Sequence, residues 1–194
     1  FTESNGTVWI GTLENGLNRF TPTTGEFKQY HHDPADPESL SSDQIYSILV
    51  DRHGLLWVGT DSALDLFDPE TGKSKRYVPD ETKNSLSGLP VHTIFESRDG
   101  RLWLGTGNGL NQFDPAAETF ISYHPNPNDP NSLSDEHVVA IEEDLRGDLW
   151  IGTVDSGLNR LNRQSEEFTR YQNRRGDQKS LSNDAILSIH QSRD

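Results

Sequence analysis

A motif returns every 46 to 48 residues along the whole chain, and a chain this periodic folds as similar units stacked side by side. The signature is carried by Trp9, Trp57, Trp103 and Trp150, spaced 48, 46 and 47 residues apart. Tyr30, Tyr77, Tyr123 and Tyr171 keep the same step. So does a Ser-Leu-Ser triplet centred on Leu40, Leu86, Leu133 and Leu181.

Within one period every signal is β. Ile45–Val50 is short, apolar and rich in β-branched residues, and Asp51-Arg52-His53-Gly54 after it is a turn. Leu55–Thr60 is a second strand, Leu64–Asp68 a third and Lys73–Val78 a fourth. No apolar run lasts long enough to sustain a helical period. These strands are named A to D. A and B are apolar on both faces, as in strands buried from both sides, while D alternates and is charged. The expectation is an all-β propeller of four blades of about 47 residues, each a four-stranded antiparallel meander with A innermost and D at the rim.

The period sets the boundaries: blade one 1–42 (strands B to D), blade two 43–88, blade three 89–135, blade four 136–183, and a last strand A at 184–194. Phe1–Gly6 aligns with Phe95–Gly100, so Ala185–His190 is expected to pair with Thr7–Thr12 and complete blade one. The leading expectation is a homodimer closing an eight-bladed ring and the second a closed four-bladed monomer; the third is an excerpt of a longer chain that stays open-edged. One strand A position is small in every unit (Ser47, Thr93, Ala140, Ser188), which points to crowding near the axis. The leucine of each Ser-Leu-Ser is expected to plug the gap between blades.

Composition narrows the function. There are 31 acidic against 17 basic residues, a net charge of −14; such a surface repels nucleic acid and anionic membranes. No apolar run approaches the roughly 20 residues of a membrane helix, and no stretch reads as a signal peptide. Without cysteine there is no disulfide frame and no thiolate chemistry.

Each unit reads approximately as apolar-x-small-Ile, a turn ending in Gly, apolar-Trp-apolar-Gly-Thr, Gly-Leu-Asn-x-Phe, Phe-x-x-Tyr, Asp-Pro and Ser-Leu-Ser. Val8–Thr12 with Gly16–Phe20, and Leu149–Thr153 with Gly157–Arg160, show it most fully. This pattern resembles the two-component regulator propeller repeat. The resemblance implies an extracytoplasmic, periplasmic sensor region of the kind found in bacterial hybrid histidine kinases and some diguanylate cyclases. Many such sensors respond to oligosaccharides, so a ligand of that class is implied here. Blade two departs from the pattern: Ala63 stands where the others have Gly16, Gly109 and Gly157, and Asp65 where they have Asn.

No catalytic constellation is expected. Glu142 and Glu143 are consecutive strand residues and point to opposite faces, whereas a hydrolase needs two facing carboxylates. The Asp51, Asp99 and Asp144 turns lack calcium-loop spacing and read as hairpins. The seven histidines fit no metal motif, and no cofactor is expected. The candidate ligand-binding residues lie on the D-to-A and B-to-C connections, which meet at one end of a propeller: Asp43, Asp61, Asn108, Glu136, His137 and Asp155. The leading reading is a non-enzymatic module that binds a ligand or partner through this loop face. The rivals are a purely structural self-assembling propeller segment and a propeller lyase or hydrolase.

Overall fold

Each expected turn ends a strand in the computed structural model, which describes residues 1–3, 6–80 and 84–192. Blade one holds β1 (Val8–Gly11), β2 (Leu17–Thr21) and β3 (Glu26–Tyr30). Blade two holds β4 (Ile45–Val50), β5 (Leu56–Thr60), β6 (Leu64–Asp68) and β7 (Lys73–Tyr77). Blade three holds β8 (Val91–Glu96), β9 (Leu102–Thr106), β10 (Gly109–Asp114) and β11 (Thr119–Tyr123). Blade four holds β12 (Val138–Glu143), β13 (Leu149–Thr153), β14 (Leu158–Asn162) and β15 (Glu167–Tyr171). Every sheet is an antiparallel meander in chain order, three-stranded in blade one and four-stranded in the others. The inner strands meet in sequence: β1 against β4, β4 against β8, β8 against β12.

The A-to-B turn is held by its first residue. Asp51 accepts the backbone N–H groups of His53 and Leu55, each at 2.9 Å, and the indole N–H of Trp57 at 2.9 Å. Asp144 does the same for Arg146, Asp148 and Trp150. These bonds use the carboxylates as hairpin braces, and they orient the signature tryptophans into the gap between blades.

Three hydrophobic cores occupy the three joints. Trp9, Leu17, Tyr30 and Leu40 of the first unit pack with Ile45, Leu56, Val58 and Phe67 of the second. The second joint sets Trp57, Leu64 and Leu86 against Leu104, Phe113 and Phe120. The third sets Trp103, Leu110 and Leu133 against Ile151, Leu161 and Phe168. The triplet leucines Leu40, Leu86 and Leu133 are at most 1 % exposed, so they are the inter-blade plugs that the repeat predicts.

The small position in strand A is crowded, and the crowding comes from beside it. A Cβ on Gly59 would lie 2.2 Å from Ser47 Oγ and 2.6 Å from the Val91 carbonyl oxygen. Gly105 stands in the same relation to Thr93 and Val138. The Gly of Trp-x-Gly-Thr and the small residue opposite it together let the next inner strand approach.

One departure from the repeat is accommodated, and one expectation changes. Ala63 carries no strain, because its φ is not positive, whereas Gly16, Gly109 and Gly157 have φ of 65°, 111° and 83°. Its turn closes on Thr60 instead, whose Oγ1 accepts the Ala63 N–H at 2.9 Å. Within the chain, Ala185–His190 does not join the sheet of blade one. The seat beside β1 is taken by Phe1–Glu3: Phe1 and Trp9 exchange backbone hydrogen bonds of 3.0 and 2.8 Å, and Thr2 bridges Val8. The C-terminal segment lies along blade four, where the Ile186 N–H donates to the Thr153 carbonyl at 3.0 Å just as Ile45 donates to Thr12 at 2.8 Å. It occupies the place of the next blade's inner strand with no second strand beside it.

A buckle ties each connection to the following blade. Asn111 Oδ1 accepts the Ser87 N–H at 2.9 Å and its Nδ2 donates to Ser87 Oγ at 2.8 Å. Asn159 and Ser134 repeat the pair. In blade two the partner of Ser41 is Asp65, fully buried, with Oδ1 left without a hydrogen bond. Burial raises the Asp65 pKa, outweighing the bonds from Ser41 and the charge of Arg76. A folded carboxyl that holds its proton to a higher pH than the unfolded one loses stability as pH rises from 3.8 through the folded value. Asp65→Asn restores the Asn buckle and removes the buried charge, so it is expected to stabilise the chain by about 1–2 kcal/mol at neutral pH. Thermal melts should show that gain shrinking as pH falls towards 3.8, where Asp65 is protonated.

Candidate functional site

Strand direction alternates within a blade, so the D-to-A connections and B-to-C turns share one end of the array. The inner strands enter from that end, and each carries a bulge at its second residue. Ile45 faces Thr60 and Ser47 faces Gly59, which leaves Tyr46 as the extra residue. His92 is extra between Val91 and Thr93, and Val139 between Val138 and Ala140. A bulge breaks the strict alternation and re-aims a side chain.

The re-aimed side chains meet between blades. The Tyr46 ring is 40 % exposed and stands edge-on to His92, with centroids 5.5 Å apart at 89°. Burial, and then the neighbouring His137, hold the His92 imidazole below its ordinary value, so it is neutral at neutral pH. His137 Nδ1 lies 3.6 Å from Asp135 Oδ1, and Asp135 Oδ2 accepts the Asp155 N–H at 3.2 Å. The mouth thus presents two aromatic rings, a second imidazole and the exposed Asp155, while Asp135, its side chain 12 % exposed, braces the site by accepting the His137 N–H at 3.1 Å as well as that of Asp155. Rings offer flat apolar faces, and carboxylates accept hydroxyl hydrogen bonds. Among the described residues no group of three His, Asp or Glu side chains is arranged to hold a metal ion.

Of the six residues expected to bind, the structure brings His137 and Asp155 together through Asp135. The other four brace turns. Asp43 Oδ1 accepts the His32 N–H at 2.8 Å and lies 3.6 Å from His31 Nδ1. Asp61 accepts the Ser62 hydroxyl at 2.9 Å. Asn108 Nδ2 donates to the Ser87 carbonyl at 2.7 Å. Glu136 takes the Gly109 N–H on its backbone carbonyl at 2.6 Å, and its side chain is exposed. Sequence reading missed Tyr46 and His92 because it treats strand A as unbroken. The available signal was a strand A position that changes character (Tyr, His, Val, Leu) between one that stays β-branched and aliphatic (Ile45, Val91, Val138, Ile186) and one that stays small (Ser47, Thr93, Ala140, Ser188).

The consecutive glutamates do not converge. The Glu143 side chain, 6 % exposed, accepts the Arg98 N–H at 2.7 Å, lies 3.2 Å from Arg98 Nε and meets Arg163 at 3.4 Å. Arg52 clasps Glu96 across the preceding joint in the same way, through its N–H at 2.9 Å and its guanidinium. These carboxylates staple the far ends of neighbouring inner strands.

The fold and the repeat have known counterparts. Residues 39–62 and 85–108 match the family described as two component regulator propeller. The extracellular domain of a protein described as a one component system from B. thetaiotaomicron superimposes with a TM-score of 0.78 at 25 % identity, covering 96 % of this chain and 24 % of that one. That of a hybrid two component system from the same organism gives 0.72 at 25 % identity, covering 95 % and 29 %. Virginiamycin B lyase from Staphylococcus aureus gives 0.65 at 21 % identity, covering 88 % and 53 %, a likeness of fold alone. This chain spans about a quarter of the length of the signalling domains it matches. No curated protein matches it. No helix among the described residues is long and apolar enough to cross a membrane. Two stretches of the chain thus match the two component regulator propeller repeat, and the chain as a whole is a propeller array of four sheets.

Proposed function

We propose that this chain is a non-enzymatic recognition module of a periplasmic sensor and that it binds an oligosaccharide at the mouth formed by Tyr46, His92, His137, Asp135 and Asp155. The likeness to extracellular domains of two bacterial signalling proteins over at least 95 % of the chain carries the reading. The mouth supports it chemically. Sugar rings stack their C–H faces on aromatic side chains while their hydroxyls donate to carboxylates. The non-catalytic part rests on the glutamates, since Glu96 and Glu143 are committed to arginines between blades.

The test is calorimetry against a panel of neutral and acidic oligosaccharides. A ligand of the mouth should lose about tenfold or more in affinity with Tyr46→Ala or Asp155→Ala. Asp61→Ala, in the B-to-C turn of blade two where the carboxylate is bonded to the Ser62 hydroxyl, should leave affinity unchanged. Binding that ignores Tyr46 and Asp155 would move the site elsewhere. Turnover of a bound saccharide that one carboxylate substitution abolishes would make the protein an enzyme.

A further inference from the structure

Charge is divided unequally between the mouth end of the array and the opposite end. In the D-to-A connections and B-to-C turns, which form the mouth end, thirteen described residues are acidic and three are basic. All three bases, Arg174, Arg175 and Lys179, lie on the connection that follows β15. The connections leading to Tyr46, His92 and His137, and the turn holding Asp155, carry no Lys or Arg among their described residues. The opposite end is nearly balanced. The A-to-B turns of blades two to four and the C-to-D turns hold seven acidic residues and five arginines. Arg52, Arg98, Arg101 and Arg163 there each pair with a carboxylate. At the mouth end Asp43 and Asp135 each stand 3.6 Å from a histidine, whereas Asp61, Glu136 and Asp155 pair with no cation among the described residues.

We infer that the mouth selects oligosaccharides bearing protonated amino groups, of the glucosamine class, over neutral and uronic ones. This rests on the saccharide reading above and narrows it. A cleft bordered by charges of one sign focuses their field and concentrates the opposite charge at its opening. At physiological ionic strength that field reaches about 8 Å, so the carboxylates at the entry itself decide, Asp155 first. Its carboxylate is exposed and accepts no hydrogen bond among the described residues, only its N–H being engaged. An ammonium adds charge attraction to the hydrogen bond that a sugar hydroxyl makes there. The exposed Tyr46 ring attracts a cation over its face as well as a sugar ring. A neutral saccharide keeps the stacking and the hydrogen bonds without the attraction. A uronate brings its own carboxylate beside Asp155 and Glu136, and the described residues of these loops offer no ammonium or guanidinium to take it. His92 is held neutral by burial, and a charge on His137 is shared with Asp135.

Calorimetry on the intact chain tests this with probes of equal length: a glucosamine tetrasaccharide, its N-acetylated counterpart and a galacturonate tetrasaccharide. The glucosamine sugar is expected to bind at least about tenfold tighter than the N-acetylated one, and the galacturonate weakest of the three. Added salt should erode the glucosamine affinity by about threefold or more and leave the N-acetylated sugar nearly unaffected. Asp155→Asn, which keeps the shape and removes the charge, should shrink the preference for glucosamine by about tenfold. Tyr46→Ala should weaken the glucosamine sugar too; an affinity that ignores Tyr46 is adsorption to the acidic surface and overturns the inference. So does a preference that Asp155→Asn leaves intact. An oligolysine of equal charge that binds as tightly would make the mouth a site for cationic peptides and overturn the saccharide class. If the N-acetylated sugar or the galacturonate binds through Tyr46 as tightly as glucosamine, this inference falls and the functional reading stands. If none of the three binds, this inference falls, and the wider saccharide panel alone decides the functional reading.

Discussion

Phe113→Ala is expected to destabilise the chain by about 3–5 kcal/mol, the range for emptying an aromatic site in a packed core. Phe113 has no exposed surface. Its ring lies 5.0 Å from Tyr77, 5.6 Å from Trp57 and 4.4 Å from Phe120, so three rings from two blades lose their common neighbour. The cavity sits in the joint between blades two and three. Thermal unfolding should show a midpoint lower by about 10 °C or more. Hydrogen exchange should quicken first in β5, β9 and β10. Ile121→Ala, on the same blade at an exposed site, is the control and should change stability by less than about 1 kcal/mol. Equal losses in the two variants would mean that the joint core does not hold the blades together.

Gly105→Ala should cost about 2–4 kcal/mol although it adds a single methyl group. The new Cβ would stand 2.6 Å from the Val138 carbonyl oxygen, 2.6 Å from Thr93 Cγ2 and 2.7 Å from Val138 Cγ1. Side chains can turn aside, but the carbonyl belongs to the next inner strand and cannot move without parting blades three and four. The double variant Thr93→Ala, Gly105→Ala should therefore remain destabilised in chemical denaturation. Gly147→Ala supplies the comparison. Its added Cβ would meet only Glu143 Oε1 at 3.6 Å, and its φ of 89° sets the cost at about 1–2 kcal/mol. If Thr93→Ala fully rescues Gly105→Ala, side-chain crowding, and not the backbone approach, explains the glycine.

These two positions also mark how far the sequence could be read. Repeat length, strand content and the burial of the triplet leucines followed from periodicity and hydrophobic patterning, because those are local properties that each unit states again. Trp103 and Leu86 were recognisable as core residues on that ground. The glycine of Trp-x-Gly-Thr was visible as a motif, but its reason was not: the group that excludes a Cβ at Gly105 lies on the following blade.

The candidate site was less legible. Acidic loop residues are polar by default, so the sequence offered Asp43, Asp61 and Asn108 on equal terms with Asp155. A backbone N–H claims Asp43, a neighbouring hydroxyl claims Asp61, and Asn108 donates to a backbone carbonyl, so all three are braces. Tyr46 and His92 became candidates only through the bulges, which depend on how β4 and β8 pair with β5 and β9.

The amino-acid order by itself determined that this protein is four repeats of a propeller blade, because a motif returning every 46 to 48 residues, with four short strands between turn residues in each period, admits few other folds. It also determined the acidic surface. Tertiary structure alone decided which carboxylates are staples and which stay exposed, since that depends on arginines and amides brought from neighbouring blades. It decided the fate of the chain ends too. Phe1–Glu3 and Ala185–His190 are both fit to pair beside β1; the shorter segment holds the seat because it adjoins β1 in the chain, where loop closure costs least, and the longer one stays on blade four.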